Sequence, residues 1–280
     1  IRFPIFAMAI VFWLGRDSRL IYGILLSVGV GMAVMCLILT AEVLITGYDG
    51  QRLSWPYGDL VPGNYLAKVC LPAFVVLVAL GASAEGRVAG IMAIFAAVSL
   101  VASLLTGERI NLLLRVCSGI LAAFVWKPRP YRVIAVLCII GAGILIPLMI
   151  APVLYQRFFE NFIEELPINV TSQYFRAMAP GWLAFTEFPL FGVGPGNLRF
   201  LCSEIISAST AYDCHPHPHN FYLQMLGEAG FVGLLTGSLC LGSIIWSCAR
   251  PAFRGSSNVI VASMWIVPFA FFWPLATTAD

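Results

Sequence analysis

Charge is scarce in this chain. Lys and Arg number 16 and Asp and Glu 14 among 280 residues, 11% together, where soluble domains carry about 25%. Hydrophobic residues make up 60%, and mean hydropathy is +0.91. These values exclude an ordinary soluble domain and place the chain in the membrane class. The net charge of +2 says little about partners, because its distribution matters more than its sum. Histidine is scarcer still: three residues, all between His215 and His219. No CxxC pair occurs among the eight cysteines, which excludes a zinc ribbon. No internal repeat and no low-complexity tract is visible. The alternating strands of about ten residues that a membrane barrel requires are also missing.

What is present is a series of continuous apolar runs such as "VAGIMAIFAAVSLVASLL". A helical span needs roughly 20 apolar residues, and in lipid the backbone must satisfy its own polar groups, so these runs predict helices. They are Leu20–Thr46, Asn64–Ser83, Val88–Leu105, Ile110–Trp126, Tyr131–Tyr155, Phe221–Cys248 and Asn258–Thr277. Ile1–Leu14 reads as the end of a truncated span. The expected fold is an all-α polytopic transmembrane bundle, one membrane domain over residues 1–280. The chain starts at Ile1 and stops at Asp280 just after an apolar run, so it reads as a fragment of a longer protein. Residues 156–220 form a long polar loop, and loops of that size are functional or carry their own secondary structure. "NFIEEL" and "RAMAPGWLAFTEF" within it predict short amphipathic helices.

Lys and Arg in short loops set orientation. One alternating set of loops holds Arg16, Arg19, Arg87, Lys127, Arg129, Arg132, Arg250 and Arg254 against Asp17 and Glu85. The other set is residues 47–63, the "TGER" turn and residues 156–220. It carries Asp49, Asp59, Glu108, Glu160, Glu164, Glu165, Glu187, Glu204 and Asp213. The first set is therefore expected in the cytoplasm, and the long loop with all three histidines outside.

Three outer elements carry chemistry. In "TGERINLLLR", Arg109 stands in a tight turn at a helix mouth, and its planar guanidinium suits phosphate; the alternative is an interfacial anchor. Arg115 lies inside the apolar run, where an ionisable group faces protein or a wet cavity. In "RAMAPGWLAFTEFPLFGVGPGN", Gly192, Gly194 and Gly196 predict a tight loop. Their GxGxG spacing is not a dinucleotide fingerprint, and no βαβ unit surrounds them. Arg176 there reads equally as a solvated loop charge. In "HPHPHNFYLQ", a metal reading is open, with Asp213 and Cys214 next door. However, alternating prolines predict an extended segment whose imidazoles point apart, and no distant His or Cys pair supplies further ligands. Asn220, Gln224 and Glu228 recur every four residues and predict one polar stripe on a helix. His219 would stand at that helix's start, where an imidazolium is disfavoured and a neutral imidazole can accept a proton. The plainer alternative is a helix cap with an interfacial histidine.

Six cysteines lie in apolar stretches: Cys36, Cys70, Cys117, Cys138, Cys240 and Cys248. They read as small buried hydrophobes. Cys202 and Cys214 share the outer loop, in an oxidising compartment, and are candidates for a disulfide.

The segment "HPHNFYLQMLGEAGFVGLL" resembles the hallmark of the O-antigen ligase and polysaccharide polymerase family. The matching positions are His219-Asn220, Leu223, Glu228, Gly230 and Gly233. "FPLFGVGPGN" resembles that family's Pro-x-x-Gly-x-Gly segment, Arg176 its loop arginine, and "TGERINLLL" its arginine turn, which places Arg109. Two positions depart from the pattern. Glu108 stands where serine is common, and Pro180 falls where a continuous helix is usual. The resemblance covers residues 106–235. It implies a metal-independent, cofactor-free enzyme of the bacterial inner membrane with its site on the periplasmic face. Such an enzyme transfers a glycan from undecaprenyl diphosphate to a sugar hydroxyl on lipid A–core or on a lipid-linked glycan, with membrane lipids and no nucleic acid as further partners. On that reading His219 is the base, Arg109 and Arg176 bind the diphosphate, and Arg115 helps hold it. Asn220, Gln224 and Glu228 orient the site, with His217 a second candidate. A transporter for an anionic solute and a membrane scaffold are the alternatives. Transporters place their groups near the midplane on repeated halves, so essential Glu42 and Arg115 with a dispensable His219 would favour transport.

Overall fold

The computed structural model describes residues 17, 19–48, 50–58, 61–160, 169, 172–201 and 217–274. Every regular element among them is helical. In chain order these are α1 (Arg19–Thr46), α2 (Val61–Asn64, continuing as a π-helical turn Tyr65–Val69) and α3 (Leu71–Ser83). Next come α4 (Gly86–Leu105), α5 (Arg109–Val125), α6 (Pro130–Ile150) and α7 (Pro152–Tyr155, with a π-helical turn Gln156–Glu160). The last four are α8 (Gln173–Glu187), α9 (Phe221–Phe253), α10 (Val259–Ser263) and α11 (Ile266–Phe271). The candidate disulfide pair Cys202 and Cys214, His215, and the truncated first run lie outside the described residues.

The chain is an all-α, multi-pass membrane protein. Helices α1, α4, α6 and α9 are long and apolar enough to cross a bilayer, and α2 with α3 makes a fifth candidate bent by 54°. Their outward faces are apolar: Leu44 is 80% exposed and Met149 83%. In water such a surface would be an aggregation hazard; in lipid it is the expected exterior. Cys117, Cys138 and Cys240 lie on exposed faces. The expectation that they are buried is therefore corrected; among the described cysteines Cys36 and Cys70 are buried and Cys248 is half-buried.

Prolines mark the breaks. A proline removes the hydrogen bond to the carbonyl four residues back and clashes with it. Pro72 acts in this way on Lys68, and the α2–α3 bend falls at Cys70. Pro268 acts likewise on Met264, and the run expected as one span over Asn258–Thr277 is two short helices parted at Met264 and Trp265. Helix α5 is 17 residues, about 25 Å, a little short of a bilayer's hydrocarbon core.

Helix α3 is the hub, packed on α1, α4, α5 and α6. Phe74, Val75 and Val78 on it are fully buried. Lipid provides no hydrophobic drive between helices, so close packing and small residues must hold them. Gly119 of α5 lies under the Phe74 ring, Gly81 of α3 against Ala93 of α4, and Gly143 of α6 against Val101.

The loops sort to two ends as the alternating sets predict. At one end Leu53 donates its N–H to the Leu105 carbonyl at 3.2 Å, and Gly50 lies against Val153. At the other, Arg129 pairs with Glu85, Arg132 donates to the Ser83 carbonyl, and Asn258 donates to the Tyr22 hydroxyl.

Candidate active site

The start of α9 is built by Asn220. Its Oδ1 accepts the N–H groups of Tyr222 (3.0 Å) and Leu223 (3.1 Å). Two of the donors that every helix start leaves open are thereby satisfied. Its Nδ2 donates to the Pro274 carbonyl at 2.7 Å, and the Tyr222 hydroxyl donates to the Phe272 carbonyl at 2.6 Å. The beginning of α9 is thus fastened to the end of α11. Asn220 is 5% exposed and stands before the helix as its cap. The expected stripe is therefore carried within the helix by Gln224 and Glu228, both half-buried.

His219 precedes that cap with φ +31°. Non-glycine residues rarely take positive φ, and such strain gathers at functional sites. The same backbone turn breaks the extended run that the alternating prolines predict. The His217 and His219 rings lie 4.6 Å apart between centroids, so the expectation that neighbouring imidazoles point apart is corrected. Pro218 between them is buried. Its ring lies where a side chain at Gly181 would stand, about 3.0 Å from that Cβ position.

Gly181 belongs to α8, which the sequence predicts as a short amphipathic element. Ser172 caps it, accepting the Phe175 N–H at 3.2 Å, and the helix runs unbroken through Pro180 to Glu187. Its small residues allow contact with α9: a Cβ on Gly181 would stand 2.7 Å from the Leu223 carbonyl, and Gly227 lies against Gly181 and Ala184. Arg176 is in the first turn of α8, five residues before Gly181, about 7.5 Å along the axis.

The segment after α8 explains the glycine-rich motif. At Gly230 the backbone of α9 takes φ 64°, ψ −162°, a region open essentially to glycine alone. The groups released from the helix ladder there bond to residues 189–194, which lie alongside. Phe231 and Val232 donate to the carbonyls of Pro189 and Leu190 at 2.8 and 3.2 Å, while Val193 and Gly194 donate to those of Gly227 and Glu228 at 3.0 and 2.9 Å. Gly192 is required by proximity, since a Cβ there would meet Ala229 N at 2.5 Å. Gly194 and Gly196 turn the chain onward at positive φ. All three glycines shape a strap that clamps a broken helix. Their role is architectural, as the sequence reading of a tight loop expects.

Arg109 opens α5, and α11, which is tied to the start of α9, packs on α5. Around the turn before Arg109 lie residues that the sequence reading passed over. Arg52 pairs with Glu108 at 2.8 Å, Arg157 lies beside Gly107, and Asn111 donates to Asn64 at 3.1 Å. Lys68 is within electrostatic reach of Glu108. The signal available for Lys68 was the one applied to Arg115, a cation inside an apolar run.

Arg115 is elsewhere. It has zero exposure. One terminal nitrogen donates to the Ser99 carbonyl and the other to the Ser99 hydroxyl, both at 3.0 Å, and the guanidinium lies 4.4 Å over the Phe74 ring. Its partners are all bundle residues, so the expected phosphate contact is replaced by an internal tie between α4 and α5. Glu42 of α1 is likewise occupied. Its carboxylate accepts the N–H groups of Ser54 and Trp55 at 3.0 to 3.1 Å. Among the described residues no group of three His, Cys, Asp or Glu side chains is arranged to hold a metal ion.

A family model described as O-antigen ligase matches residues 73–236. That is more than half of the chain, from the first turn of α3 to beyond the break in α9. The chain belongs to the O-antigen ligase family. It is a membrane enzyme of the O-antigen ligase and polymerase type, acting on lipid-linked glycans. Comparison with curated proteins and with solved structures returned no match. The matched stretch takes in Arg109, Arg176, the strap and His219 together. Arg52 and Lys68 fall before it.

Proposed function

We propose that the enzyme transfers a glycan from undecaprenyl diphosphate to an acceptor sugar hydroxyl, on the periplasmic face of the bacterial inner membrane. The single observation that carries this is the O-antigen ligase match running across the broken, clamped start of α9. The positive-inside rule supports the orientation: the end with Arg129, Arg132 and Lys127 is the cytoplasmic one.

In the reaction the acceptor oxygen attacks the anomeric carbon. The bond from that carbon to the diphosphate oxygen breaks, and its electron pair stays on the diphosphate. The acceptor proton passes to His219. Its positive φ supports the assignment, because an imidazole held in a strained backbone is already oriented. Base catalysis of this kind contributes about 10²–10⁴-fold. Arg109 and Arg176 stabilise the departing charge. Each stands in the first turn of a helix, where a cation opposes the macrodipole. That placement disfavours them structurally and suits them to an anion, to which the helix start and the guanidinium both contribute. Gln224 and Glu228 face the acceptor, and His217 supports His219.

The test is glycolipid analysis in a deletion strain complemented with the parent or with His219→Ala. Loss of glycan-capped lipid A with long chains left on the carrier indicates a ligase. Short unextended repeats indicate a polymerase. Normal glycolipids with His219→Ala would overturn the proposal.

A further inference from the structure

We propose that the strap over the α9 joint is seated in the bilayer, with Phe188, Leu190 and Phe191 inserted among lipids at the boundary of the hydrocarbon core. The residues that follow α8, from Phe188 to Phe191, are all apolar and all exposed, Leu190 to 61% and Phe191 to 72%. A contiguous apolar patch of this kind marks an interaction surface, and its continuity with the rest of the molecule names the partner. Phe231 and Val232 donate their N–H groups to the Pro189 and Leu190 carbonyls, so the strap lies directly beside the first turn of the α9 rod that follows the break. Phe231, Val232 and Leu235 of that rod are themselves exposed, on a helix apolar enough to cross the membrane. The strap is thus joined by backbone hydrogen bonds to a surface that lipid covers.

Length sets the depth. Between Glu228 and Arg250 the chain carries no charge. A charge inside hydrocarbon is costly, so Arg250 marks one boundary of the core. The helix from Arg250 back to Phe231 rises about 29 Å, against about 30 Å for the core itself. Phe231 and the strap bonded to it therefore stand at the opposite boundary, the zone where aromatic rings gather. The first segment of α9 does not continue outward from there. A Cβ on Gly237 would stand 2.3 Å from Met225 Sδ, whereas in a straight helix residues that far apart in sequence are separated by about 18 Å. The segment before Gly230 therefore turns back beside the rod, and α8, packed on that segment, stays near the membrane surface. Polar groups flank the apolar run: Glu187 before it and Asn197 and Arg199 after it are exposed. The Arg199 guanidinium lies 4.8 Å over the Phe200 ring, and a charged head on an apolar plate suits the headgroup layer. The seating holds the start of α9, and with it His219, at the level where lipid-linked substrates present their heads.

The test uses the purified full chain in nanodiscs of phosphatidylethanolamine and phosphatidylglycerol. A benzophenone-bearing phenylalanine analogue replaces Phe191 in one sample and Leu235, the lipid-facing reference, in another. After irradiation, digestion and mass spectrometry, phospholipid adducts are expected at position 191 with a yield comparable to that at position 235. Independently, Phe191→Asp should lower the melting temperature in nanodiscs by about 2–4 °C, and Phe191→Trp should melt like the parent, since tryptophan is at home in the interface. At a water-facing position as exposed as this one, the change to aspartate would be close to neutral. Absence of lipid adducts at 191, with adducts formed at 235, overturns the seating, and so does a Phe191→Asp variant that melts like the parent. Adducts that join two copies of the chain through position 191 overturn it in favour of self-association. The adduct result decides alone if Phe191→Asp fails to fold.

Discussion

Asn220 donates its side-chain amide to the carbonyl of Pro274 at 2.7 Å while its oxygen caps α9. One residue therefore does two jobs that substitutions can separate. Asn220→Asp keeps the cap and loses the donor; Asn220→Ala loses both. The alanine variant should be less stable by about 1 kcal/mol for the cap and by a similar amount for the bond to Pro274. Thermal melting in detergent should rank the parent above aspartate above alanine. Equal melting of all three would contradict the arrangement.

Gly230→Ala should be among the most damaging small changes in the chain. Its backbone region costs a side chain about 1–3 kcal/mol, and the added methyl would sit 2.5 Å from Phe191 N. Expected outcomes are a lowered melting temperature and faster proteolysis of residues 188–198. Gly196→Ala, with open space around it, should be milder.

Arg115→Met should leave transfer per folded molecule near the parent's. Replacing buried charged groups by apolar groups of similar volume is often neutral, and Arg115 is held inside the bundle by Ser99, Met32 and Phe74 with the Cys36 and Cys70 thiols nearby. A collapse of donor affinity in this variant would restore it to the phosphate site.

Glu42→Gln should destabilise by about 1–3 kcal/mol, since an amide cannot serve both backbone donors with equal strength. The loss should appear in melting, and surviving molecules should transfer normally. A transporter reading expects instead a loss of solute movement with stability intact, which flux across proteoliposomes would detect.

Much of the architecture is legible in the residues. Each apolar run from Leu20 to Thr277 holds a helix, and the alternation of charged loops matches the two ends of the bundle. Continuous hydrophobicity is a local signal, and so is the proline that stops a helix. What sequence could not give is the partner of each polar group. Asn220 reads as the first member of a stripe, yet a cap needs only local backbone donors and takes it. Arg115 and Arg109 share one helix and one residue type, but burial against Ser99 separates their roles, and burial depends on α4. Arg52 and Arg157 are about a hundred residues apart in sequence. Nothing local marks them as neighbours; Gly107 alone hints that something passes close to it.

The strap across Gly230 has a mechanical result. Because residues 189–194 bond to Gly227 and Glu228 before the break and to Phe231 and Val232 after it, the two rods of α9 are splinted across the joint. A load on either rod therefore passes into the strap and through it to α8, so the joint is expected to keep its angle when the bilayer changes thickness.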